Sequence, residues 1–168
     1  IEGTNTYSLQ SGSGMNTIKG GEIISNYGVS TYLTCSADLD MQDGKITSTV
    51  DNAISASGGG YNCDETIVTI DGGEINGKTN GIVVDGVNHE FKVSGGHIIG
   101  QLGTAVTSNN PDTIITGGTL EGKVYGLNLD KGGTIGTDDG TVVIDTPILK
   151  GDSYGLNVVA GTLNFNDG

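Results

Sequence analysis

The chain has 168 residues, enough for one ordinary domain, with 31 glycines, two prolines and no tryptophan; glycine without a three-residue period or abundant proline excludes collagen, and aliphatic residues recurring throughout exclude a disordered tail. Twenty acids against seven lysines, with no arginine, give a formal net charge of −13, which excludes a nucleic-acid partner held by its phosphates and an anionic membrane held by charge. Calcium, or a surface kept soluble by self-repulsion, suits such a chain better, and the apolar runs are too short for membrane insertion.

The phrase Ile-x-Gly-Gly-x-Ile stands at Ile18–Ile23 and Ile70–Ile75, with a close variant at Val93–Ile98. Taking the last apolar residue as an anchor gives Ile23, Ile46, Ile75, Ile98, Leu120 and Leu149, with gaps of 23, 29, 23, 22 and 29. Five residues earlier stand Ile18, Met41, Ile70, Val93, Ile115 and Ile144. Two residues later stand Ser25, Ser48, Gly77, Gly100, Gly122 and Gly151. Seven later come Ala53, Ile82, Ala105, Leu127 and Leu156, with Val29 in that role in the first copy; nine later come Ser55, Val84, Thr107, Leu129 and Val158. Fixed spacing with one variable arm predicts stacked coils that carry loops on one corner.

Apolar residues two apart predict strands, and no 3.6-residue stripe appears. The pairs Gly72–Gly73 and Gly95–Gly96 predict a bend at positive φ. One unit cannot bury its apolar face alone, so the units must stack into aliphatic ladders. An antiparallel sandwich is the alternative, but it does not require the same side-chain class at the same phase in every copy. The expected fold is all-β: a single-stranded parallel β-solenoid of six to seven rungs, one domain over residues 1–168. Before Ile18, Thr6–Asn16 reads as the tail of a preceding rung; at the other end Leu163 and Phe165 read as the apolar pair before a further bend. Neither end shows a capping pattern, which suggests a segment of a longer repeat protein, ends covered by a partner, or stacking on another copy.

The phrases IKGGEI, IDGGEINGKTNGIVV, VSGGHIIG, ITGGTLEGKVYGLNL and DTPILKGDSYGLNV resemble right-handed parallel β-helix proteins of the pectate-lyase-like kind, in particular the glycine-rich repeats of bacterial surface and adhesin-like proteins. The resemblance covers Thr17 to Phe165 and implies the right hand, which parallel crossovers generally share. It also implies a class that includes polysaccharide lyases, which use calcium-binding acids with a basic residue, and hydrolases, which use clustered aspartates. The lyase arginine has no counterpart here. The adjacent Asp138 and Asp139 lie on a glycine-rich turn without a matching histidine or basic motif, which favours a solvated loop over a paired-carboxylate site.

The other candidates are surface features. His97 falls in a column with Glu22, Lys45, Glu74 and Thr119, which is expected to face solvent, and His89 lies in the variable arm. Two histidines alone do not make a zinc site. Cys35 and Cys63 fall in the arms of consecutive rungs and are expected to pair, the alternative being two separate thiols. Tyr125 and Tyr154 share a phase, each before Gly-Leu-Asn; they read as a structural ladder or as a platform for a sugar, and Tyr27 is near enough in phase to extend the row. Asp85 and Asp130 share another phase, with Asp138 and Asp139 in the arm of Asp130, a weak calcium candidate beside the reading of scattered solvated acids. No other cofactor is expected. Thr47–Thr49 does not recur at its phase, and the outward residues Ile24, Thr47, Asn76, Ile99, Glu121 and Lys150 are irregular, which argues against an ice-binding lattice.

The expected function is a non-catalytic module, extracellular or on the cell surface, acting as a stalk or adhesin. Its partners would be glycans, a host surface or neighbouring segments of the same protein. The alternative is a carbohydrate-active or carbohydrate-binding protein of the pectate-lyase-like type, with calcium dependence; a third reading is a piece of a viral tailspike or fibre.

Overall fold

The computed structural model describes residues 1–3, 6–57, 65–86, 89–136 and 146–166. These residues form strands joined by turns, and every strand pairing is parallel. The chain is therefore a parallel β-solenoid with three faces. The first face stacks the C-terminal parts of Leu9–Ser25 and Thr31–Ser48 under Glu74–Gly77, His97–Gly100, Thr119–Gly122 and Ile148–Gly151. The second stacks the N-terminal parts of the same two long strands under Ile54–Ser57, Ile82–Asp85, Val106–Ser108, Tyr125–Leu129 and Tyr154–Val158. The third stacks their middle parts under Thr66–Ile70, His89–Val93, Thr113–Ile115, Gly132–Ile135 and Thr162–Phe165. Glu2–Gly3 adds a short layer against Ile24–Ser25.

The anchor column is as the repeat predicts. Ile23 pairs with Ile46, Ile46 with Ile75, Ile75 with Ile98, Ile98 with Leu120 and Leu120 with Leu149. All but Leu149 are buried, and Leu149 packs against the same core. Each rung thus places its aliphatic side chain on the one below at about 4.8 Å, and burial of these side chains drives the stacking at about 25 cal/mol per Å². The bend into the first face is also as expected: Gly73 and Gly96 have φ of 83° and 86°, and Gly21, Gly44 and Gly118 repeat that geometry in three other coils, with Pro147 at this place in the last.

Three expectations are corrected. The column of Ile18, Met41, Ile70, Val93 and Ile115 continues with Ile135 and Phe165, whereas Ile144 lies outside the described residues. The cause is that the two long repeats carry their extra residues at different corners. Residues 58–64 lie between the second and third faces, and residues 137–145 between the third and first, so there is no single variable arm. The corner between the first and second faces also varies, by one residue. Ile82 pairs with Ile54 and Val106, not with Ala53 and Ala105, and Val84 pairs with Ala56 and Ser108, not with Ser55 and Thr107. In the first copy Thr31, rather than Val29, takes the equivalent place.

A physical rule governs that corner. Where it is five residues long, it ends in a small buried residue, Ser30, Ala53 or Ala105. Where it is four long it ends in Gly81, Gly126 or Gly155, because the tighter turn leaves no room for a side chain: a Cβ on Gly81 would lie 2.5 Å from the Ala105 carbonyl oxygen. The residue that opens the corner is as tightly constrained in four coils. A Cβ on Gly77 would lie 1.7 Å from the Asn80 carbonyl oxygen, whereas Ser48, at the same phase, donates its hydroxyl to the Gly28 carbonyl at 2.6 Å.

Gly77→Ala is expected to destabilise the chain by about 1–3 kcal/mol through overpacking, whereas Gly12→Ala, whose Cβ would meet only the Thr34 hydroxyl at 3.8 Å, should change stability by less than about 1 kcal/mol; urea denaturation of both variants checks the contrast. Thr31 stands in the interior column between Leu9 and Ile54, fully buried, with no partner for its hydroxyl. Thr31→Val should therefore raise the unfolding free energy by about 1 kcal/mol, and an unchanged or lower urea midpoint would contradict that account.

Candidate functional site

Because the interior is filled by the ladders, the chemistry available to a partner lies on the outward columns. Tyr125 and Tyr154 are directly paired in register, and their rings stack with centroids 6.1 Å apart and planes 23° apart. Tyr154 is 63% exposed. Tyr27 does not extend this row. It lies two residues after Ser25, whereas Tyr125 and Tyr154 lie three residues after Gly122 and Gly151 in the same column, and the coils between carry Asn52, Asn80 and Thr104 at the phase of the pair. A second stack escapes the repeat: Tyr7 and Tyr32, with centroids 4.5 Å apart and planes 10° apart, the Tyr32 hydroxyl lying 2.9 Å from the Ser57 hydroxyl. Tyr7 and Tyr32 occupy different phases, so spacing alone does not reveal them. The usable signal is that Tyr7, Tyr125 and Tyr154 each stand three residues before the outward member of their second-face strand, Gln10, Asn128 and Asn157.

Asp85 and Asp130 stand at one phase with Asn109 on the intervening rung; the Asn109 amide donates to Asp85 at 3.1 Å and the Asn128 amide to Asp130 at 3.0 Å. Asp138 and Asp139 lie outside the described residues, in the segment that follows Ile135, one corner beyond Asp130. Among the described residues no group of three or more His, Cys, Asp and Glu side chains is placed to hold a metal ion. Cys35 takes a positive φ of 58°, unique among described non-glycine residues, and its sulfur is engaged in a disulfide. Cys63 lies outside the described residues.

The column of Glu22, Lys45, Glu74, His97 and Thr119 is in register and partly exposed along its length. Its charges pair across rungs. Lys45 reaches Glu74 at 3.0 Å, and Glu121 lies 3.6 Å from both the His97 Nε2 and the Lys150 ammonium; Lys123 pairs with Asp152. Hydrogen bonding to Glu74, reinforced by its charge, holds the Lys45 ammonium above the ordinary lysine value. Asp152 does the same to Lys123. A shallow groove of about 320 Å³ runs between these side chains, over Gly100, Gly122 and Gly151.

The three faces differ in charge. On the first, Lys45 and Lys150 offset Glu22, Glu74 and Glu121, and on the corner that follows it Lys123 offsets Asp152. The third carries Asp38, Asp40 and Glu90 against Lys92, which pairs with Glu90, with Asp71, Asp112, Lys19 and Lys131 at its edges. The central outward column of the second face runs Gln10, Tyr32, Ser55, Val83, Thr107, Asn128 and Asn157 and carries no charge. Its last two amides are linked, Asn157 donating to Asn128 at 2.6 Å.

No family model matches the chain, and no curated protein or solved structure matches it.

The cross-rung pairing has a readable consequence. A lysine whose folded value is raised contributes stability at neutral pH that is lost as alkali removes its proton. The Lys45 ammonium should titrate above the ordinary lysine range by NMR and return to that range in Glu74→Gln; a titration unmoved by the substitution would show that the pair does not persist in solution.

Proposed function

We propose that this chain is a non-catalytic β-solenoid module of the cell surface or the extracellular space, a rigid stalk or adhesin segment that meets glycans or a host surface through its outward columns. The observation that carries the reading is the unbroken register of the anchor ladder from Ile23 to Leu149. Seven layers at about 4.8 Å make a stiff rod about 30 Å long. Lys45, Lys123 and Lys150 are engaged in rung-to-rung pairs. The disulfide at Cys35 supports an oxidising compartment, and the strong negative charge supports solubility there.

The stack of Tyr125, partly exposed, on Tyr154, exposed, favours a second reading, a carbohydrate-binding or carbohydrate-active protein of the pectate-lyase-like type, with calcium as an aid. Small-angle scattering combined with incubation on plant and bacterial polysaccharides, with and without calcium, separates the two. The stalk or adhesin reading expects retention on a surface without product. Release of shortened sugars dependent on calcium would replace it with the enzyme, and a stable trimer in solution would point to a fibre.

A further inference from the structure

We infer that the second face binds a neutral, hydroxyl-rich glycan chain laid along the solenoid axis over the uncharged column between the two tyrosine stacks. This rests on the surface-module reading above and names its ligand class and its face.

The argument is one of desolvation and shape. Covering an ammonium or a carboxylate with a ligand that cannot replace its water costs far more than covering a hydroxyl, an amide or a methyl group. On the first face a ligand in the glycine-floored groove would have to displace or cover Lys123, Asp152, Glu121 and Lys150. On the third it would meet Asp40 and Lys92 in the central outward column and Asp38 and Glu90 beside it. Along the second it meets Ser55, Val83, Thr107 and Asn128, partly exposed, each one rung from the next.

The ends of that path are aromatic. Tyr7 and Tyr32 stack at the N-terminal end, and Tyr125 and Tyr154 at the C-terminal end. Four rungs separate Tyr32 from Tyr125 in the register, about 19 Å at the strand spacing. A tyrosine ring offers a flat apolar surface with a polar tip, which suits the C–H face and the hydroxyl rim of a sugar ring. Between the stacks, the hydroxyls of Ser55 and Thr107 at a fixed pitch supply hydrogen bonds, and beside the C-terminal stack, three residues from Tyr125 and Tyr154, the Asn128–Asn157 pair is already ordered.

The flanking column sets the sign of the ligand. Asp85 and Asp130 stand two residues beyond Val83 and Asn128, close enough to repel a uronate or any other anionic chain. A neutral glycan meets no such penalty.

Isothermal titration of the whole chain with cellohexaose, mannohexaose, xylohexaose and hexagalacturonate tests the inference. At least one neutral hexasaccharide should bind, with an affinity that does not change between low and high salt, and hexagalacturonate should not. Thr107→Glu, an outward change at the centre of the path, should abolish binding. Tyr154→Ala should weaken it by about tenfold, in line with a lost aromatic contact, and Glu121→Gln on the first face should leave it unchanged; circular dichroism confirms that each variant is folded. Failure of all three neutral sugars to bind, binding indifferent to Thr107→Glu, or binding of hexagalacturonate would overturn the assignment. Retention of the chain on an immobilised host matrix protein with no response to neutral sugars would overturn it while leaving the surface-module reading in place. Hydrolysis of the hexasaccharides would remove both.

Discussion

Parallel backbone pairing between successive coils is the constraint on which everything else depends. Each residue stands on its counterpart one coil earlier, so a side chain is selected by what lies one rung below and one rung above it, not by its neighbours in the chain. The anchor column is therefore aliphatic throughout: Ile23, Ile46, Ile75 and Ile98, then Leu120 and Leu149. The corners obey the same rule through the backbone. A Cβ on Gly100 would lie 2.2 Å from the Thr104 carbonyl oxygen, and one on Gly122 1.9 Å from that of Tyr125; the chain turns so tightly there that it occupies the space a side chain would need.

That uniformity is why so much of the fold is legible in the residues themselves. The anchors and the glycine bend follow from identical residues at identical phase, and the pairings reproduce both. Counting across corners is what fails. The shift from Ala53 to Ile54 and from Ala105 to Val106 follows from a choice between a five-residue turn ending in alanine or serine and a four-residue turn ending in glycine. That difference is visible in the sequence as NAI and TAV against NGI and YGL, but it acquires meaning only once the turn is known to be too tight for a side chain. The assignment of Ile144 to its column fails for a related reason: the extra residues of the last long repeat sit after Ile135, and total repeat length does not say which corner absorbs an insertion.

The candidate surface is less legible than the core. Tyr125 and Tyr154 share a phase, so the repeat reveals them; Tyr7 and Tyr32 meet at different phases, so it does not. The neutrality of the central outward column of the second face is hidden for another reason. Net charge is a property of the whole chain, whereas a partner meets one face, and the assignment of acids to faces requires the corner lengths to be right. Once they are, the charges fall on the third face, where Asp38, Asp40 and Glu90 accompany Lys92, and on the first face and its following corner, where Lys45, Lys123 and Lys150 each have an acid within reach. The two lysines with raised values, Lys45 and Lys123, both owe the shift chiefly to a single carboxylate one rung away, so the pairing that shapes the first face is local and exposed, and salt will screen it.

An outward column on such a scaffold differs from a loop-borne site in what it costs to use. Its side chains project from strands registered on both sides, so little backbone freedom remains to be lost when a ligand arrives. The pitch is fixed by the hydrogen-bonding distance between strands, which makes the outward groups a regular one-dimensional array. Contacts on such an array add along an extended ligand, each rung raising the effective concentration for the next, while a compact ligand spans only one or two of them. Length of contact, not depth of pocket, is therefore the route by which this fold gains affinity, and it favours polymers whose own groups recur along a line.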